Sequence, residues 1–127
     1  MTTKTVLVVN DDPVSLLITA VALEAAGYRV ASANNGREAI ERCLAETPDV
    51  IVTDVDMPEL DGLGLARELQ GLVEAGRLPP IAMLATSAAM TEERRRACLA
   101  AGIRQCFGKP FRQAEFLEAI AASVVSR

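Results

Sequence analysis

Asp49-Val50-Ile51-Val52-Thr53 runs straight into Asp54-Val55-Asp56-Met57-Pro58. The first part is apolar and β-branched without polar alternation, the pattern of a strand buried on both faces. It stops abruptly on carboxylates. Lys4–Val9 (KTVLVV) repeats the pattern and stops at Asn10, Asp11, Asp12 and Pro13. Strands of this kind belong to parallel sheets covered by helices on both sides.

The segments between them read as helices. Pro13 suits a first helical turn, with Asp11 or Asp12 as its cap. Leu16, Ala20 and Leu23 follow at helical spacing, and Gly27 marks the stop. Tyr28–Ala33 is strand-like, and Asn34-Asn35-Gly36 is a turn. Arg37–Glu46 carries Ile40, Cys43 and Leu44 on one helical side. Leu63–Val73 reads as a helix, Pro79-Pro80 as a break and Ile81–Ala85 as a strand. Thr91–Ala101 is helical, with Glu92 and Glu93 in its first turn and Gly102 after its end. Arg104–Phe107 is a short strand. Arg112–Val125 closes the chain as a helix with Leu117, Ile120, Ala121 and Val124 facing inward.

Five strands therefore alternate with five helices, and the intervening runs are long enough for crossovers. The expected fold is α/β, a doubly wound, five-stranded parallel sheet. No linker, repeat or composition shift divides residues 1–127, so one domain is expected.

Composition narrows the function. Of 127 residues, 50% are apolar and 24% charged, enough for a single core and unlike a disordered chain. The net charge of −4 offers no basic face for nucleic acid. Histidine is absent, which excludes imidazole bases, imidazole metal ligands and Ser-His-Asp or Cys-His triads within this chain. Cys43, Cys98 and Cys106 form no CxxC pair and read as buried free thiols in a reducing compartment. No apolar run reaches the ~18 residues of a membrane span, and the N-terminus has no signal-peptide pattern. The expected location is cytoplasmic, without membrane association.

In a doubly wound sheet, ligands bind outside the carboxyl ends of the strands. Those ends carry Asn10-Asp11-Asp12, then Asp54 with Asp56, then Thr86-Ser87, then Gly108-Lys109-Pro110. Each group alone reads as a cap or a turn. Together they gather carboxylates, hydroxyls and one ammonium at a single edge. Clustered carboxylates repel each other and want a cation. With oxygen ligands alone on offer, Mg²⁺ or a similar hard ion suits them.

The motifs VLVVNDDP, VIVTDVDMPELDGLGLA, LATSAAM and CFGKPF resemble the receiver domain of the two-component response-regulator family, which includes the chemotaxis response regulator. The resemblance covers residues 4–125. It implies a flavodoxin-like sheet of order 2-1-3-4-5. It also implies that Asp54 accepts a phosphoryl group and that Asp11, Asp54 and the backbone carbonyl of Asp56 bind Mg²⁺. Thr86 is similar to the switch hydroxyl, and Lys109 to the lysine that pairs with the phosphoryl group. The implied donor is a phosphohistidine on a histidine kinase or a histidine phosphotransfer protein. Output is expected through a protein partner at the fourth helix, fifth strand and fifth helix. No independent enzyme is implied, only phosphotransfer and dephosphorylation at Asp54.

Asn10 departs from the family, which usually has an acid there with a water-mediated part in Mg²⁺ binding. An amide still accepts from a metal-bound water, and Asp12 is expected to restore some of the missing charge. Cys106 stands where many members have an aromatic residue, and Phe107 should point to the opposite face. Cys106 is expected to be a small buried partner of Thr86. The triplet Arg94-Arg95-Arg96 reads as a solvated face. Two other readings compete: a degenerate, phosphorylation-independent interaction module, and a receiver fragment of a hybrid histidine kinase. A start at Met1 with almost no tail favours a free-standing regulator over the fragment. A small flavodoxin-like electron carrier fits poorly, because Trp is absent and Tyr28 is the only tyrosine.

Overall fold

The computed structural model describes residues 3–125. Among these, five strands alternate with five helices: β1 (Thr5–Val9), α1 (Pro13–Ala25), β2 (Arg29–Ala33), α2 (Gly36–Ala45), β3 (Val50–Asp54), α3 (Gly62–Glu74), β4 (Ala82–Ser87), α4 (Glu92–Ala100), β5 (Gln105–Gly108) and α5 (Gln113–Val125). All strands pair in parallel, in the order β2-β1-β3-β4-β5. The sheet therefore has the flavodoxin-like order expected, with β3 at its centre.

The apolar runs of β1 and β3 serve two cores at once, because successive side chains point to opposite faces. Leu7, Val9 and Ile51 join Cys43 of α2, Leu65 and Leu69 of α3 and Cys98 of α4. Val6, Val8, Val50 and Val52 join Leu23 of α1 and Phe116 and Ile120 of α5 on the other side. This double burial explains why neither strand alternates with polar residues.

The helix starts lie at the carboxyl ends of the strands, and the first four are secured by a side-chain cap. Asp12 caps α1, Asn35 caps α2, Asp61 caps α3 and Thr91 caps α4. Each such cap contributes about 1 kcal/mol. The turn from β3 to α3 is tight. A Cβ at Gly62 would lie 2.7 Å from the Asp54 carbonyl oxygen, so only glycine lets α3 begin against the strand end. Glu59, in the same turn, adopts φ 64°, a left-handed conformation unusual for a side chain with a Cβ.

Several expectations need correction. β4 starts one residue later than the pattern suggests and includes Thr86 and Ser87. Their carbonyls extend the ladder by accepting from Val55 N at 2.9 Å and Lys109 N at 2.8 Å. On α2, Leu44 is exposed while Ala39 is buried with Cys43. On α5, Ala121 is exposed, and Phe116 and Ser123 are buried beside Ile120.

Candidate functional site

Asp54 ends β3 directly beside Thr86 of β4 in the parallel register. Thr86 in turn sits opposite Phe107 of β5, and Ser87 opposite Gly108. Lys109 follows Gly108 and reaches back, its Nζ 3.6 Å from Asp54 Oδ1. The peptide bond between Lys109 and Pro110 is cis. Three residues distant in sequence, Asp54, Thr86 and Lys109, thus stand on three adjacent strand ends.

The Asp54 side chain is 12% exposed. Its Oδ1 is buried without a hydrogen-bond partner, since the ammonium is too far away to donate. Desolvation holds the Asp54 carboxyl above the usual carboxylate range. Lys109 opposes that rise, while the neighbouring charges of Asp56 and Asp11 add to it. A buried, under-coordinated carboxylate oxygen with negative neighbours calls for a cation.

β1 supplies the second part of the site. Asn10 is buried and its Oδ1 accepts from Asp12 N at 3.0 Å. Asp11 is exposed at the mouth. Asp12 is engaged elsewhere. Its Oδ1 accepts from Val14 N at 3.3 Å and its Oδ2 from the Ser15 hydroxyl at 2.7 Å, and these bonds hold its carboxyl below the usual range. Asp12 therefore caps α1 with both oxygens, which competes with the charge-restoring role expected of it.

Among the described residues, no three carboxylate, thiol or imidazole side chains converge as a metal cluster. Asp11, the orphaned oxygen of Asp54, a backbone carbonyl and water could together hold a hard cation here. That donor set fits Mg²⁺, which keeps several waters and takes few carboxylates.

The response regulator receiver domain model matches residues 6–121. The chain belongs to the response regulator receiver family. It is a receiver domain of the kind used in two-component systems, whose members interact with histidine kinases or phosphotransfer proteins and use Mg²⁺ at a phosphorylation site. It is 31% identical over 117 residues to the polar-differentiation response regulator DivK of Brucella anthropi, covering 92% of this chain and 93% of DivK. It is also 31% identical over 121 residues to the sensory/regulatory protein RpfC of Xanthomonas campestris pv. campestris, covering 94% of this chain but 16% of RpfC. The chain likewise spans only 12% and 7% of two other long curated relatives. A response regulator crystal structure from Thermotoga maritima superposes with a TM-score of 0.82 at 28% identity, covering 98% of this chain and 99% of that one. No helix among the described residues is long and apolar enough to cross a membrane.

Two expectations about the receiver's switch region change. The arginine triplet is not simply a solvated face. Arg94 forms an ion pair with Asp56 at 2.6 Å, and Arg95 Nη1 donates to the Cys106 carbonyl at 2.7 Å. Cys106 pairs in register with Ala85, and the thiol facing it is Cys98 of α4. Burial pushes the Cys106 thiol up to about 12, which leaves it unreactive as a nucleophile. Phe107 points to the opposite face as expected, packed edge-on against Phe116 with ring centroids 5.7 Å apart.

The sequence reading missed a surface beside the site. Val14, Leu17, Ile18 and Val21 on α1 are 56–65% exposed. They lie on the helix that starts from the Asp11-Asp12 loop. Ile18 also lines a cavity of about 300 Å³ with Lys109, Pro110 and Phe111. The signal was present: this helix is apolar on more than its core-facing side.

Proposed function

We propose that Asp54 accepts a phosphoryl group from phosphohistidine and that Thr86 and Lys109 convert this event into a change of surface. The observation that carries the reading is the buried, unpaired Oδ1 of Asp54, aligned with Thr86 and 3.6 Å from Lys109. Asp11, Asp54 and the Asp56 backbone carbonyl would hold Mg²⁺, with Asn10 acting through water. When bound, that ion supplies charge neutralisation between two anionic reactants.

This chain's own residues do the rest. An Asp54 oxygen attacks phosphorus as the P–N bond to the donor imidazole breaks, and the imidazole leaves with a proton taken from solvent. Lys109 meets charge on the phosphoryl oxygens. The acyl phosphate adds acceptor oxygens where one carboxylate oxygen stood, and the Thr86 hydroxyl donates to one of them.

The donor docks over the exposed apolar side of α1. That surface adjoins Lys109 and Pro110, and a phosphohistidine presented on a helical partner must approach Asp54 across this edge. Output passes through α4, β5 and α5 to a protein partner. The receiver is proposed to occupy all of residues 1–127 and to work in the cytoplasm.

Incubation with acetyl phosphate and Mg²⁺, followed by intact mass, tests the assignment. One phosphoryl adduct is expected on the wild type and none on Asp54→Ala. Equal labelling of the two proteins would sink it.

A further inference from the structure

Three side chains beside the phosphoacceptor have no part in the scheme above. Asp56 contributes a backbone carbonyl there, while its carboxylate turns toward β4 and α4. Its Oδ2 accepts from the Ser87 hydroxyl at 2.7 Å. Its Oδ1 pairs with Arg94 Nη2 at 2.6 Å. Arg94 Nη1 donates to Ser87 Oγ at 3.0 Å, and Ala89 N donates to the same oxygen at 3.1 Å. Asp56, Ser87 and Arg94 close a ring that ties three segments together: the loop after β3, the end of β4 and the first turn of α4.

The ring matters because α4 is otherwise held by few groups, among them the bond from Arg95 Nη1 to the Cys106 carbonyl at 2.7 Å. Cys98 is the single buried residue of that helix. Ser87 is fully buried and follows Thr86 directly in the chain. Adjacent Cα atoms are about 3.8 Å apart, so a backbone displacement of Thr86 toward Asp54 carries Ser87 with it. Moving Ser87 changes both of its bonds in the ring.

We propose that Arg94 is a positioning residue which, through Asp56 and Ser87, clamps the β4–α4 loop and the start of α4 in the unphosphorylated arrangement, and that this clamp opens when Thr86 moves. The clamp then opposes activation. It is made in one state and lost in the other, so it biases the equilibrium by its own worth. The inference rests on the reading of Asp54 as the phosphoacceptor. A partly exposed, charge-assisted contact of this kind corresponds to a bias of about fivefold.

Amide exchange on Ser87→Ala, Arg94→Gln and Arg94→Lys tests the clamp, each with and without Mg²⁺ and beryllofluoride. In the untreated state, Ser87→Ala and Arg94→Gln should exchange about fivefold faster over residues 88–95. In the treated state they should match the wild type. Arg94→Lys, which keeps the charge but not the two-pronged geometry, should fall between. Unchanged exchange in the untreated variants overturns the clamp. So does an equal rise in both states, which would mark the ring as ordinary structural support. A wild type with no response to beryllofluoride refutes the phosphoacceptor reading, and the release step with it. A normal wild-type response with unloosened variants refutes the clamp alone.

Discussion

Ionised Asp54 should destabilise the resting fold, and Asp54→Asn should relieve it. Oδ1 is shut off from water and has no hydrogen-bond partner, and Lys109 at 3.6 Å compensates only in part. The folded carboxyl titrates above its unfolded value of about 3.9. The native state therefore binds this proton more tightly than the unfolded state does. The cost of ionisation is absent below the unfolded value, grows as pH rises through the window up to the folded value and is complete above it. An unsatisfied buried polar group costs about 1–3 kcal/mol, and the partial Lys109 contact argues for the lower end, about 1 kcal/mol. For a domain of this size that is a rise in melting temperature of about 4 °C. Urea unfolding of wild type and Asp54→Asn in a chelator, at neutral pH and below pH 4, measures it. The variant should be more stable at neutral pH, and the difference should disappear in acid. Mg²⁺ at ten times its dissociation constant should add about 1.4 kcal/mol to the wild type and much less to the variant. A variant less stable at neutral pH, a gain independent of pH, or equal stabilisation of both proteins by Mg²⁺ would refute the reasoning.

Asn10→Asp should tighten Mg²⁺ binding about five- to tenfold in calorimetric titration, since one more charge at a water-mediated distance contributes on the order of 1 kcal/mol. Glu59→Gly should raise the urea midpoint by the equivalent of about 0.5–1 kcal/mol, because relief of φ 64° exceeds the added flexibility of the unfolded chain. Gly36→Ala should lower it by about 1–3 kcal/mol despite the better helix propensity of alanine, because its Cβ would meet both the carbonyl oxygen and the Cδ2 of Leu60 at 2.8 Å. Thr86→Ala should leave acetyl phosphate labelling of Asp54 intact by mass while abolishing the change in amide exchange over residues 86–91.

The fold was legible because local signals agreed with one another. Val50–Thr53 and Val6–Val9 lack polar alternation for a reason the sheet makes plain: each serves two cores. Asp54, Thr86 and Lys109 were legible because strand ends in a parallel sheet share one edge, so sequence order and topology bring them together. Ser87 was legible as part of that edge, but its tie with Asp56 to Arg94 was not. The partner of Arg94 lies 38 positions earlier, in a loop whose course no helical periodicity encodes, so three adjacent arginines looked like a solvated face. Leu44 and Ala121 illustrate the same limit. Spacing identifies a helical stripe, but which edge of the stripe is buried depends on how the helix sits on its sheet. For Cys106, strand alternation correctly opposed it to Phe107, yet the thiol facing it belongs to α4, an element that strand arithmetic does not see.

The arrangement also explains how a single charge change can reach a surface. Exposed charges are screened within about 8 Å at physiological salt, so a phosphoryl group cannot act on a partner through its field alone. It needs an element whose packing is weak enough to be shifted by one or two hydrogen bonds. α4 meets that requirement, with one buried side chain and the Asp56–Ser87–Arg94 ring at its start. α3 does not, since Leu65, Ala66 and Leu69 anchor it in the core. Asp54 ends β3 against Gly62 of α3 and beside Thr86 of β4, and covalent continuity from Thr86 through Ser87 leads to α4. Under the proposed phosphorylation of Asp54, unequal anchorage would direct the switch: the same added oxygens would meet a helix that can yield on one side and a helix that cannot on the other.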